Sequence, residues 1–220
     1  MGAWEAINVD GKTVRAYAAG EAKSGSPGVV VCHAWWGLNE DVQLFADRLS
    51  RSGFAVLVPD LYNGVVVATI DEAETASSLP EEEIDAIALA ALDDLAGRLG
   101  AEARLGAVGF SFGAAWALWI GAQREAVRAS VVYYGTLSGP SLSAASIPVL
   151  GHFAEDDPYE ADEAVTEFEN TLRAAGREVT IHRYPGTGHW FAEPSRDAYV
   201  PDAAELAYER TVEFLDNRVS

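Results

Sequence analysis

The apolar and polar positions of this chain recur with two periods, and the switches between them mark out its elements. Trp4 to Val9 and Thr13 to Ala18 flank Asp10-Gly11, a dipeptide suited to a tight turn, so the chain is expected to open with a hairpin. Glu21 to Pro27 is a polar loop containing Gly, Ser and Pro. Gly28-Val29-Val30-Val31-Cys32 is a continuous apolar run, the mark of a strand buried on both faces. Asp41 to Arg51 puts Val42, Phe45, Ala46 and Leu49 on one helical face. Phe54 to Val58 is a second buried strand, closed by Pro59.

Helix and strand patterns keep alternating from there. Asp71 to Leu79 and Glu81 to Leu99 read as helices, the second opening on acidic residues suited to a helix N-terminus. Leu105 to Val108 reads as a strand and Phe112 to Gln123 as a helix. Ala129 to Tyr134, Val149 to Phe153 and Glu178 to Tyr184 read as further strands, with a helix at Asp162 to Ala175 between the last two. Ala203 to Val219 closes the chain as an amphipathic helix. This alternation predicts an α/β fold, a mostly parallel sheet with helices on both faces. Ligands of such sheets bind at the carboxyl ends of the strands. No break in composition marks a second domain or a large inserted cap, so one domain over residues 1–220 is expected.

Composition narrows the partners. The 220 residues suffice for one core, and 49% apolar content is ordinary for a globular protein. Acidic residues number 34 against 15 basic ones, a formal net charge of −19. Such a surface repels nucleic acid and anionic lipid, so neither is an expected partner. The N-terminus shows no basic stretch followed by an apolar one, and no apolar run approaches the length of a membrane span. The lone Cys32 excludes an internal disulfide and fits a reducing cytoplasm; it reads as a small buried hydrophobe. Trp116 and Trp119 are spaced as core residues of one helix, and Asn63-Gly64 reads as a turn. No H-E-x-x-H, paired C-x-x-C, Walker loop or G-x-G-x-x-G occurs, so neither a metal nor an organic cofactor is expected.

The chemistry concentrates at Gly109-Phe110-Ser111-Phe112-Gly113. This G-x-S-x-G lies between a strand pattern and a helix pattern, the setting of a nucleophile elbow that lifts a serine hydroxyl into a pocket. The residues two away from the serine must be small for strand and helix to approach. A serine hydroxyl needs a base, and the base needs an orienting group. In this setting the chain order is serine, acid, histidine. His33 and His152 come too early, and His182 falls inside a predicted strand. His189, in the loop Pro185-Gly186-Thr187-Gly188-His189 past the last strand, is the candidate base.

The acid is sought after the strand Val149 to Phe153, where Glu155, Asp156 and Asp157 can each serve. Asp157 is favoured because Pro158 fixes a turn that aims it inward. Oxyanion donors are expected from the Phe112 N–H, directly after the serine, and from the loop His33-Ala34-Trp35-Trp36-Gly37. Trp35 N–H is preferred there, with Ala34 and Trp36 as alternatives. The Trp35 and Trp36 indoles either wall the pocket or pack as core; Trp36 and Trp190 are the candidate substrate contacts. The stretch Tyr62 to Pro80 is a candidate for the pocket mouth.

Four stretches together resemble the dienelactone hydrolase family of α/β-hydrolases: HAWWGLNEDVQLFADRLSRSGFAVLVPDLYNG, GFSFG, GHFAEDDPY and YPGTGHWF. The resemblance runs over nearly the whole chain. It implies an α/β-hydrolase fold, hydrolysis of a small-molecule ester or lactone without a cofactor, and a triad of Ser111, Asp157 and His189. The chain is a serine variant, since the best-known members carry cysteine at the position of Ser111 and glutamate at that of Ala34. Lactonases of carboxylated substrates tend to place arginine near the catalytic histidine; here Trp190-Phe191-Ala192-Glu193 follows, and the first arginine is Arg196. An uncharged ester is therefore at least as plausible a substrate as dienelactone. An acyltransferase on the same fold and a catalytically silent binding protein are the alternative readings.

Overall fold

The computed structural model of the chain describes residues 1–138 and 147–220. Its strands are β1 (Ala3–Val9), β2 (Lys12–Ala19), β3 (Gly28–Cys32), β4 (Ala55–Pro59), β5 (Leu105–Phe110), β6 (Val127–Tyr133), β7 (Val149–Asp156) and β8 (Val179–Gly188). Its helices are α1 (Glu40–Arg51), α2 (Ile70–Ala76), α3 (Glu81–Leu99), α4 (Phe112–Gln123), α5 (Asp162–Ala174) and α6 (Pro201–Val219). Among the described residues the strands form one eight-stranded sheet in the order β1-β2-β4-β3-β5-β6-β7-β8. β2 runs antiparallel to β1 and β4, and all pairings from β4 to β8 are parallel. This is the α/β-hydrolase arrangement that the family resemblance implies.

The hairpin closes at Asp10 (φ 50°) and Gly11 (φ 84°), the two left-handed residues that a twisted two-residue turn requires. Every residue of β3, β4 and β5 is buried, which is why these strands read as unbroken apolar runs. Val29 and Val31 face a core cluster holding Leu49 of α1 and Leu215 of α6. Val30 and Cys32 face the opposite cluster, with Leu92 of α3 and Ile120 of α4. This is the two-residue alternation of a strand. On α4, Ala114 and Leu118 pack with Val165 and Phe168 of α5.

Two features differ from the sequence expectation. Helix α2 stops at Ala76 rather than Leu79: Ser77 and Ser78 hydroxyls donate back to the Glu74 carbonyl, and Pro80 disfavours helical backbone at the residue before it. Strands β7 and β8 run on to Asp156 and Gly188, past the end of the apolar pattern. The segment from Pro185 to Gly188, expected as a loop, is thus the end of β8. A bulge between Ala154 and Asp156 restores the pairing, and Asp156 lies opposite Gly188.

The sheet order places β3 between β4 and β5, so the chain winds outward in both directions from β3. A crevice opens at the carboxyl ends of the strands at such a switch point. Cys32, the last residue of β3, pairs with Gly109 near the end of β5. The loop from His33 and the turn at Ser111 therefore leave the sheet side by side. No helix among the described residues is long and apolar enough to cross a membrane.

Candidate active site

Ser111 occupies the sharp turn between β5 and α4, with φ 46° and ψ −113°. That conformation is strained for a residue with a side chain. Two backbone bonds hold it: Ser111 N–H donates to the Tyr133 carbonyl, and Ala114 N–H donates to the Ser111 carbonyl, each at 2.9 Å. The flanking glycines are dictated by space. A Cβ on Gly109 would collide with the backbone of Gly113 and Ala114, and one on Gly113 with the Cys32 and His33 carbonyls.

Ser111 Oγ lies 2.8 Å from His189 Nε2. His189 Nδ1 lies 2.9 and 2.7 Å from the two oxygens of Asp157. Both side chains are almost wholly buried, at 4% and 2% exposure. Asp157 is oriented by its own turn, its Oδ1 accepting the N–H groups of Tyr159 at 2.9 Å and Glu160 at 3.1 Å. Its two neighbours point elsewhere. Glu155 accepts the Gly186 N–H at 2.9 Å, and both Glu155 and Asp156 are exposed. With Nδ1 donating to the carboxylate, Nε2 offers a lone pair to the serine hydroxyl.

The oxyanion-side loop also lies at the serine, its His33 carbonyl packed against Gly113. Among the described residues neither the Trp35 N–H nor the Phe112 N–H donates to another backbone group outside the regular elements. The tryptophans divide between the two expected readings. Trp36 is 3% exposed and belongs to the core cluster, whereas Trp35 is half-buried at its edge. The Trp36 ring meets Trp190 edge-on at 5.0 Å and carries the Arg196 guanidinium at 4.0 Å. A cleft of about 400 Å³ opens beside them, lined also by Thr69 and Ile70 at the start of α2. The segment Tyr62 to Pro80 contributes Thr69 and Ile70 to this cleft, whose lining includes neither Ser111 nor His189.

Several residues around the site had no clear signal in the sequence. Tyr159 packs on His189 at 4.9 Å and on Trp190 at 5.2 Å, and meets Trp35 edge-on at 5.8 Å. Tyr134 has φ 37°, and its ring lies tilted against His189 with centroids 5.0 Å apart. Its hydroxyl donates to Glu193 Oε1 at 2.9 Å, and both are buried. Burial pushes the Glu193 carboxyl up to about 8; Asp41 reinforces the rise, while the Tyr134 hydroxyl and Arg196 oppose it. Glu160, beside Asp157, receives the Thr136 N–H at 3.0 Å and its hydroxyl at 2.9 Å. Cys32 lies under the sheet end, and burial raises its thiol to about 12, so it is inert at neutral pH. Among the described residues no group of three or more His, Cys, Asp or Glu side chains is arranged to hold a metal ion.

Comparison with known proteins agrees with this architecture. The family model of the dienelactone hydrolase family matches residues 14–219. Protein usf of Aquifex pyrophilus is 30% identical over 227 residues, covering 98% of each chain. A probable 2-oxo-3-(5-oxofuran-2-ylidene)propanoate lactonase of Bradyrhizobium is 29% identical over 96% of this chain and 92% of its own. The crystal structure of a putative dienelactone hydrolase from Klebsiella pneumoniae superposes with a TM-score of 0.87 at 23% identity, over 98% of both chains. The chain belongs to the dienelactone hydrolase family and is a carboxylic ester hydrolase.

Proposed function

We propose that this enzyme cleaves a small ester or lactone through an acyl-enzyme intermediate, with Ser111 as nucleophile, His189 as general base and acid, and Asp157 as the carboxylate that orients His189. The observation that carries the reading is the unbroken line from Ser111 Oγ through both nitrogens of His189 to Asp157, anchored on a serine at φ 46°.

His189 Nε2 takes the hydroxyl proton as Ser111 Oγ attacks the substrate carbonyl. The N–H groups of Phe112 and Trp35 receive the negative oxygen that forms. Collapse expels the alkoxide, which His189 protonates; in a lactone that alcohol stays tethered to the acyl group. A water then gives its proton to His189 and attacks the acyl-enzyme, releasing the acid and restoring Ser111. Asp157 holds Nδ1–H throughout and stabilises the imidazolium.

Trp35 and Tyr159, beside His189, flank the bound substrate; Trp190 backs them, and Trp36, at 3% exposure, packs behind as core. Relatives whose names include lactonase and carboxymethylenebutenolidase support lactones as substrates alongside open esters. An uncharged substrate is favoured, because no arginine stands between His189 and Arg196, and Arg196 is already stacked on Trp36. The acidic surface argues against nucleic acid as a partner.

The test is turnover of short-chain p-nitrophenyl esters and a lactone panel by wild type and Ser111→Ala. Loss in a folded mutant supports the reading, and equal rates sink it. Product analysis with an added alcohol separates hydrolysis from acyl transfer, and absence of fluorophosphonate labelling at Ser111 would favour a silent binding protein.

A further inference from the structure

His33 is fully buried, and no step above uses it. It directly follows β3, and its ring bridges two backbones. The Leu61 N–H lies 3.1 Å from His33 Nε2, and a backbone N–H can only donate, so Nε2 is the acceptor. The proton of the neutral ring is therefore on Nδ1, which lies 2.8 Å from the Ala34 carbonyl and donates to it. Burial pushes the imidazolium down, against opposing effects of the Ala34 carbonyl and Asp60, which keeps that acceptor available. Tyr62 packs edge-on to the His33 ring at 4.9 Å and lies 5.4 Å from the Phe112 ring.

The Ala34 carbonyl and the Trp35 N–H belong to one peptide unit. The chain has no cis peptide bond among the described residues, so the two groups point in opposite directions from one rigid plane. Fixing the carbonyl fixes the N–H. The Ala34 carbonyl also accepts the Gly37 N–H at 3.2 Å, closing a turn whose first central residue is Trp35. In such a turn the N–H of that residue takes no part in the closing bond.

We infer that His33 is a positioning residue of the oxyanion hole: its imidazole holds the Ala34–Trp35 peptide so that the Trp35 N–H faces the oxygen of the reacting carbonyl. The inference rests on the proposed roles of Ser111 and Trp35. It assigns to a histidine outside the triad an effect on the transition state but none on the ground-state complex.

The experiment compares wild type, His33→Leu and His33→Gln. Leucine keeps apolar bulk and loses both hydrogen bonds; glutamine retains a donor and an acceptor. For a p-nitrophenyl ester, His33→Leu is expected to lose about 10- to 100-fold in kcat with KM within about twofold, and fluorophosphonate labelling of Ser111 to slow in parallel. His33→Gln is expected to recover to within about fivefold of wild type. A wild-type kcat in His33→Leu, a loss carried by KM, or a folded glutamine variant as impaired as leucine overturns the inference. Should His33→Leu not fold, nitrogen-15 NMR of the wild-type imidazole decides: a proton on Nδ1 supports the inference and one on Nε2 overturns it. Turnover surviving in Ser111→Ala would instead sink the reading on which it rests.

Discussion

Asp157 and His189 leave the sheet as neighbours because the residues before them, Asp156 and Gly188, are paired across β7 and β8. The acid and the imidazole are thus positioned by strand register, with the bulge before Asp156 adjusting the last step. Register fixes which of three adjacent carboxylates meets the ring. Asp157→Asn is expected to lower kcat by about 10³- to 10⁴-fold, since an amide can hold the wrong tautomer of His189. Asp156→Asn and Glu155→Gln are expected to stay within about threefold of wild type, as exposed side chains away from the ring. Steady-state kinetics on one ester decides it; equal losses at Asp156 and Asp157 would contradict the assignment.

The turn that carries Asp157 is itself tied down by Glu160, whose two carboxylate oxygens take the N–H and the hydroxyl of Thr136. Thr136 lies just beyond β6, next to the strand end that holds Ser111. Thr136→Val removes the hydroxyl donor and leaves the N–H. It is expected to cost about 1 kcal/mol of stability. A drop in kcat of about threefold to tenfold is expected as Asp157 loosens, with recovery in Thr136→Ser. Thermal melts and kcat of the two variants are the check, and a valine variant that melts and turns over like wild type would refute the tie.

Much of this was legible in the chain because it follows from local rules. Unbroken valine runs mark the buried central strands, Asp10-Gly11 marks the hairpin turn, and the glycines around Ser111 mark a place where backbones nearly touch. The residues that escaped notice depend on distance in sequence. Tyr134 meets Glu193 across 59 residues, and Tyr159 meets Trp35 far along the chain. Neither pair has a period or a spacing that could announce it. The end of β8 was hidden for another reason: Pro185 and Gly186 read as loop residues, yet β8 runs through them to Gly188, which pairs again with Asp156 beyond the register shift.

The elbow predicts its own fragility. Gly113 sits where the first turn of α4 passes over the carbonyls of Cys32 and His33, and any Cβ there meets backbone that cannot swing aside. Gly113→Ala is expected to destabilise the fold by about 3 kcal/mol and to displace the loop that carries Trp35. Gly97 offers a control, since a Cβ there meets nothing. Gly97→Ala lies in the last turn of α3 and is expected to stabilise by about 0.5 kcal/mol. Urea denaturation of the two variants should show opposite signs, and a neutral Gly113→Ala would contradict the packing described.

Glu193 makes stability depend on pH with a sign that can be worked out. Burial raises its carboxyl from an ordinary 4.5 to about 8, so the fold favours the protonated form. In the unfolded chain the proton leaves near the ordinary value. The stability associated with the neutral acid is therefore complete below about pH 4.5 and is lost as pH rises through about 8. Glutamine is uncharged at every pH and can still accept the Tyr134 hydroxyl. Glu193→Gln is therefore expected to lie within about 1 kcal/mol of wild type at pH 5 and to exceed it by about 2 kcal/mol or more at pH 9. Asp41, the other carboxylate that raises Glu193, and Arg196, the cation that opposes the rise, are present in both proteins, so they do not create the difference. Thermal melts from pH 5 to pH 9 test it. A constant gap between the two proteins would mean that Glu193 is ionised in the fold throughout, and that the Tyr134 hydroxyl donates to a carboxylate at neutral pH.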